Sequence, residues 1–286
     1  MGVNVKTARI VPVGAHRIGN ACLSLQFDHN LDQFDNTYIV SPLPGNRLQK
    51  VFERYNINTT GFVYLTDQDL TTLYPQINNW YLTNDYRGNW LFQQALKLAC
   101  IDHVDADLIF VQDADTFCSK PYSCLANNEL NLFYQPNTSH HWGYYKAAEN
   151  LTGMPRPYPH SFVCDMMPVL KRDWITLRNQ IVNTFSTHWL DAVIDQTPWD
   201  YGAGVKWFSE YELLATWSIY QNSGIVLTQQ QRFEFKSLEA LTHQDFPTEF
   251  NVVSDKNPMG QILPFDYATD TVYNLDAVLD RLNRTL

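Results

Sequence analysis

The sequence is short of charge, and shortest of positive charge. Charged residues make up 17% of its 286 positions, and 20 Lys and Arg stand against 30 Asp and Glu, a net charge of −10. The basic residues never gather into a run, so the electrostatic footprint that non-specific nucleic-acid binding needs is absent. Long apolar runs are missing too. No window approaches the about eighteen uncharged apolar residues of a membrane span, and Met1 to Ile10 lacks the apolar core of a signal peptide. The five cysteines (Cys22, Cys100, Cys118, Cys124, Cys164) are odd in number and form no C-x-x-C pair. That excludes a disulfide framework and points to a reducing compartment, so the sequons at Asn58, Asn137, Asn150 and Asn283 read as chance matches. The expectation is a soluble, cytoplasmic, globular protein. What is plentiful is apolar: 45% hydrophobic and 14% aromatic residues are enough to fill a core, which excludes disorder. So acidic a chain must neutralise any phosphate-bearing ligand locally, and a metal ion would meet that need.

The first hundred residues alternate strand and helix patterns. Ala8 to Gly14, Thr37 to Val40 and Phe62 to Leu65 read as strands. Between them, Ile18, Cys22 and Leu25 suggest one helix, and Leu48, Val51, Phe52 and Tyr55 at helical spacing mark a second. A helix over Asn89 to Cys100, with Asn89 as its N-cap, leads to the run Leu108-Ile109-Phe110-Val111-Gln112-Asp113-Ala114-Asp115-Thr116. Such alternation predicts a mostly parallel sheet flanked by helices, where ligands bind beyond the carboxyl ends of the strands. Asp113 and Asp115 stand at such an end. Two carboxylates so close raise each other's pKa unless a cation or strong donors intervene, and a divalent metal with oxygen ligands is the simplest partner. The alternative is a strand-end turn with two solvated aspartates.

The remainder is less regular. Asn131 to Tyr134 reads as a strand and His140 to Asn150 as an aromatic-rich segment. Ser161 to Asp165 reads as a strand ending in a carboxylate, with Asp173 capping the helix after it. Pro198 to Gly204 reads as a loop. From Ser209 a helix shows Leu213, Trp217 and Tyr220 on one stripe, and short strands and a last helix from about Leu275 follow. Ser209 with Glu212 has capping-box spacing, which makes Glu212 structural and leaves Glu210 free in the first turn. No linker divides the chain. A single domain over 1–286 is expected, with a nucleotide-binding half over about 1–117 and an acceptor-side half over about 118–286.

Four blocks carry a resemblance: Gly88-Asn89-Trp90-Leu91-Phe92-Gln93-Gln94-Ala95-Leu96-Lys97-Leu98, Leu108 to Thr116, Ser161 to Met167, and Ser209-Glu210-Tyr211-Glu212-Leu213. In this order they resemble a little-characterised family of nucleotide-sugar glycosyltransferases with the GT-A fold, an α/β, Rossmann-like architecture. The resemblance makes Asp113-Ala114-Asp115 a DxD motif. It implies that Asp115 ligates Mn²⁺ or Mg²⁺, that Asp113 contacts the donor's ribose or a metal-bound water, and that His243 is a further ligand. It places Trp90, Gln94 and Lys97 by the donor, with Lys97 meeting a phosphate. It implies Glu210 as the base that deprotonates the acceptor hydroxyl, as in inverting enzymes of this fold, with Asp165 competing for that role or binding donor hydroxyls. The implied activity is hexosyl transfer from a nucleotide diphosphate sugar, UDP-linked by preference, to a glycan or other hydroxyl acceptor.

Two other readings compete. A metal-dependent phosphatase of the haloacid-dehalogenase type also opens with an apolar strand and Asp-x-Asp, but wants Thr or Val where Phe117 stands, and its strand comes first in the chain. A non-catalytic carbohydrate-binding protein would share the fold without the chemistry.

Overall fold

The structure, a computed structural model, describes residues 5–28, 33–81, 88–136, 142–235, 252–255, 263, 265–266, 268–273 and 275–276. In chain order the first part runs β1 (Thr7–Pro12), α1 (Ile18–Phe27), β2 (Asn36–Ser41), α2 (Gly45–Arg54), β3 (Phe62–Thr66), α3 (Asp67–Leu73), α4 (Ile77–Tyr81), α5 (Gly88–His103) and β4 (Leu108–Gln112). After it come β5 (Thr116–Cys118), β6 (Leu125–Ala126), β7 (Glu129–Pro136), α6 (Trp142–Thr152), β8 (His160–Ser161), β9 (Met166–Leu170) and α7 (Lys171–Phe185). Last are α8 (Trp189–Gln196), β10 (Trp199–Asp200), β11 (Val205–Lys206), α9 (Glu210–Gln221), β12 (Ile225–Gln229), β13 (Arg232–Phe235) and β14 (Val252–Asp255). These elements gather into two compact units. One takes Met1–Ile10, Asp67–Val111 and Ser123–Gln229; the other takes Val11–Thr66, Gln112–Tyr122 and Gln230–Leu286.

In the first unit β4 lies between β1 and β9, parallel to β1 with Thr7 opposite Leu108 and Ile10 opposite Val111. All five residues of β4 are buried, as a strand covered on both faces should be. The run Glu210 to Ser218 of α9 is buried on every side, because α5, α6, α7 and β9 all pack on it. Of the apolar stripe expected there, Leu213 and Trp217 are buried, while Tyr220 at the end of the helix is exposed. The carboxyl end of α5 is tied to α7: Asp102 accepts from Tyr74 Oη (3.0 Å), Trp174 Nε1 (2.9 Å) and Arg178 Nη1 (2.6 Å). Lys171 Nζ meanwhile donates to the carbonyls of Ile101, Asp102 and Val104 at 2.8 Å each, closing the orphan acceptors of the helix end.

In the second unit β2 pairs parallel with β3, Thr37 opposite Phe62, and Val13 N donates to Val40 O at 2.7 Å. Val11, Ile18, Cys22, Phe52, Ala114 and Phe117 belong to one core cluster. In the same unit β14 pairs antiparallel with β5 and parallel with β13.

Four local expectations need correction. The aromatic segment over His140 to Asn150 contains helix α6, whose Tyr144, Ala147, Ala148 and Leu151 are buried. Ser161 to Asp165 is not a strand: Asp165 takes φ +58°, which breaks extension, and the extended run starts at Met166. Asp173 does not cap α7, which begins two residues earlier; its carboxylate accepts from Asn222 Nδ2 at 2.7 Å. Pro198 to Gly204 includes the turn of a β10–β11 hairpin, Trp199 opposite Lys206. Of the expected final helix only Leu275 and Asp276 are described, and the rest lies outside the described residues. All five cysteines are buried and none of them forms a disulfide. Among the described residues no helix is long and apolar enough to cross a membrane.

Candidate functional site

Beyond Gln112 the chain reverses through Asp113-Ala114-Asp115-Thr116, a turn closed by Thr116 N donating to Asp113 O at 3.1 Å. The strand-end turn of the simpler reading is thus present, but it is not a loose solvated one. Ala114, 4% exposed, is anchored in the core of its unit, and Ser24 Oγ of α1 donates to its carbonyl at 2.9 Å. Gln112, fully buried, donates from Nε2 to Thr116 O at 2.6 Å and spans the turn from inside. These bonds fix the backbone and leave the two carboxylates on either side of a buried alanine.

Asp115 is only 16% exposed in its side chain. Thr116 Oγ1 donates to its Oδ1 at 3.3 Å, and the Arg17 guanidinium stands 3.7 Å from its Oδ2. Arg17 closes a short 3₁₀ turn, Ala15–Arg17, and its own N–H is bound to Gly14 O at 2.8 Å. Sequence reasoning passed over Arg17. Only the fold brings it here: strands β1 and β4 are parallel neighbours, so the residues following each leave by the same edge of the sheet. Next to it, burial and the Arg17 charge hold His16 below the ordinary imidazole range.

Among the described residues no group of three His, Cys, Asp or Glu is placed to hold a metal. Asp113 and Asp115 nonetheless offer hard oxygen donors from one rigid turn. Mg²⁺ and Mn²⁺ are commonly held by one or two carboxylates and complete their coordination with waters and substrate phosphates. The pair therefore fits an ion shared with a diphosphate, and Asp113 and Asp115 are the residues that would hold it. His243 lies outside the described residues.

In the first unit the structure brings two expected site residues onto each other. Lys97, 2% exposed, donates from Nζ to Glu210 Oε1 at 2.6 Å and to Tyr211 Oη at 3.2 Å, and sits 4.5 Å from the centre of the Tyr211 ring. Glu210 is fully buried. Gln94, 3% exposed, donates to Trp90 O within the helix at 3.2 Å. Trp90 packs on Tyr144 (centroids 5.8 Å apart), which meets Trp207 edge-on at 5.6 Å. Asp165 is buried, in the left-handed conformation that Asp tolerates better than most residues.

Glu212 has a place that its spacing from Ser209 only half described. Its N–H is capped by Ser209 Oγ (3.5 Å), but its carboxylate turns away, accepting from Ser161 Oγ at 2.9 Å and Phe162 N at 2.8 Å. Ser161 Oγ in turn accepts from Val163 N at 3.1 Å. Burial pushes Glu212 up to about 7, against the opposing pull of these donors and of Arg156.

A family model described as "Family of unknown function (DUF6492)" matches residues 26–262. No curated protein matches the sequence. Solved structures do match the fold. The galactosyltransferase LgtC, crystallised with donor and acceptor sugar analogs, superposes with a TM-score of 0.50 at 11% identity over 97% of this chain and 96% of its own. Mouse xyloside xylosyltransferase 1 in its apo form gives 0.50 and 11% over 88% of this chain and 98% of its own. At such low identity the likeness is one of architecture: an α/β fold with a mostly parallel central sheet, as in GT-A glycosyltransferases, which is the expected fold class.

Proposed function

The chain belongs to the DUF6492 family, a family of unknown function, and we propose that it is a metal-dependent glycosyltransferase moving a hexosyl group from a nucleotide diphosphate sugar, UDP-linked by preference, to a hydroxyl acceptor. The observation that carries this reading is the Asp113–Asp115 turn at the carboxyl end of β4, braced by Ser24 and Gln112 and faced by Arg17. The GT-A architecture supports it, as do the two similar structures, both of transferases that act on sugars.

In the proposed reaction the acceptor oxygen bonds to the anomeric carbon, the bond from that carbon to the diphosphate oxygen breaks, and its electron pair leaves with the nucleotide diphosphate. Asp113 and Asp115 would hold a divalent ion there, and its chemistry when bound would be Lewis-acid stabilisation of that departing charge. The chain's part is to hold the carboxylates in a fixed turn, which Ser24 and Gln112 do. The acceptor proton passes to a carboxylate. Glu210 is one candidate, and its carboxylate is bound to Lys97 within a closed core. Asp165 is the other carboxylate we propose for that proton.

Binding of UDP tests the reading. With Mn²⁺ and UDP at about a hundred times Kd, a ligand specific for the folded chain adds about 2.7 kcal/mol. That corresponds to a rise of roughly 5 °C in Tm for a chain of this size. The rise should vanish with chelator and in Asp115→Ala; an equal rise without metal contradicts the assignment.

A further inference from the structure

We infer that Arg17 is a phosphate-binding residue of this site: it rests on Asp115 in the free protein and turns to the donor's diphosphate when a divalent ion takes that carboxylate. The inference rests on the function proposed above and adds a residue to it. Lys97, the cation the sequence offered for the phosphates, is enclosed and committed to Glu210 and Tyr211. An ion held by two carboxylates is formally neutral, so it leaves the charge of a diphosphate, and the further charge gained as the sugar leaves, without a counter-cation. In a chain of net charge −10 no general basic surface supplies one.

Arg17 has the geometry for that task. Its backbone is fixed by the Gly14 carbonyl and by the start of α1, while its side chain is 24% exposed. Its Nη1 stands 3.7 Å from Asp115 Oδ2, which places the guanidinium beside the carboxylate that would hold the ion. A guanidinium is always charged and presents a planar fork that matches two phosphate oxygens. A metal held by Asp115 would compete with Arg17 for that carboxylate, and a diphosphate shared with the metal would offer the guanidinium another anion.

Two titrations on the full chain, read by calorimetry, test this. Mn²⁺ alone should bind Arg17→Met about threefold or more tighter than wild type, because the competing cation is gone. UDP at saturating Mn²⁺ should bind the same variant tenfold or more weaker. Structural damage would weaken both, so the opposite signs identify the role. Arg17→Lys, which keeps charge but loses the fork, should fall between the two, and it carries the test if the Met variant does not fold. UDP affinity unchanged in Arg17→Met, or Mn²⁺ affinity not increased, overturns the inference alone. Wild type that binds no UDP with Mn²⁺ overturns the proposed function and the inference with it.

Discussion

Lys97 and Glu210 show how a residue can change meaning between sequence and structure. On a helix pattern each stands alone, a cation for a phosphate and a base for an acceptor. Folded, they neutralise each other at 2.6 Å with Tyr211 beneath the ammonium. Removing one partner strands the other charge in a closed core. Lys97→Met should cost about 3–5 kcal/mol in urea unfolding, and Glu210→Gln on that background should recover most of it. If the double variant is no more stable than the single, the pair is not coupled as described. Asp113 and Asp115 were legible because both fall in one short stretch at the end of an apolar run. Arg17 was not, since pairing between distant parts of the chain leaves no local pattern.

Elements with a clear period were read well. The strands at Thr37, Phe62 and Leu108 and the helices around Leu48 and Leu91 stand where apolar spacing put them, each within a few residues. Elements set by tertiary surroundings were not. Helix α6 hides behind glycine and aromatics, and the 160–166 segment owes its path to Asp165 at φ +58° and to the Glu212 carboxylate of α9, which binds Ser161 and Phe162. The burial of that carboxylate has a pH signature. Folding raises Glu212 from its ordinary 4.5 to about 7, so between those values the folded chain holds a proton the unfolded chain has released. The stabilising contribution is complete below about pH 4.5 and is lost as pH rises through about 7. Relative to Glu212→Gln, wild-type stability in urea should decline from pH 5 to 7 by up to about 1.4 kcal/mol per pH unit. Parallel profiles for the two proteins would contradict the assignment.

At the scale of the whole molecule, positive charge is scarce and apolar residues are abundant. With so few basic residues, any phosphate ligand must be neutralised locally. The parallel sheet then decided where to look, because the carboxyl ends of its strands gather loops from separate parts of the sequence. The Asp113–Asp115 turn is where those two lines meet. The direct test of the central claim is release of nucleoside diphosphate from a panel of nucleotide sugars, with Mn²⁺ or with chelator, by wild type and Asp115→Ala. The account predicts turnover of at least one donor, with a loss of a hundredfold or more on chelation and in the variant. Turnover that survives both changes, or no turnover of any donor with Mn²⁺ and an acceptor panel, would contradict it.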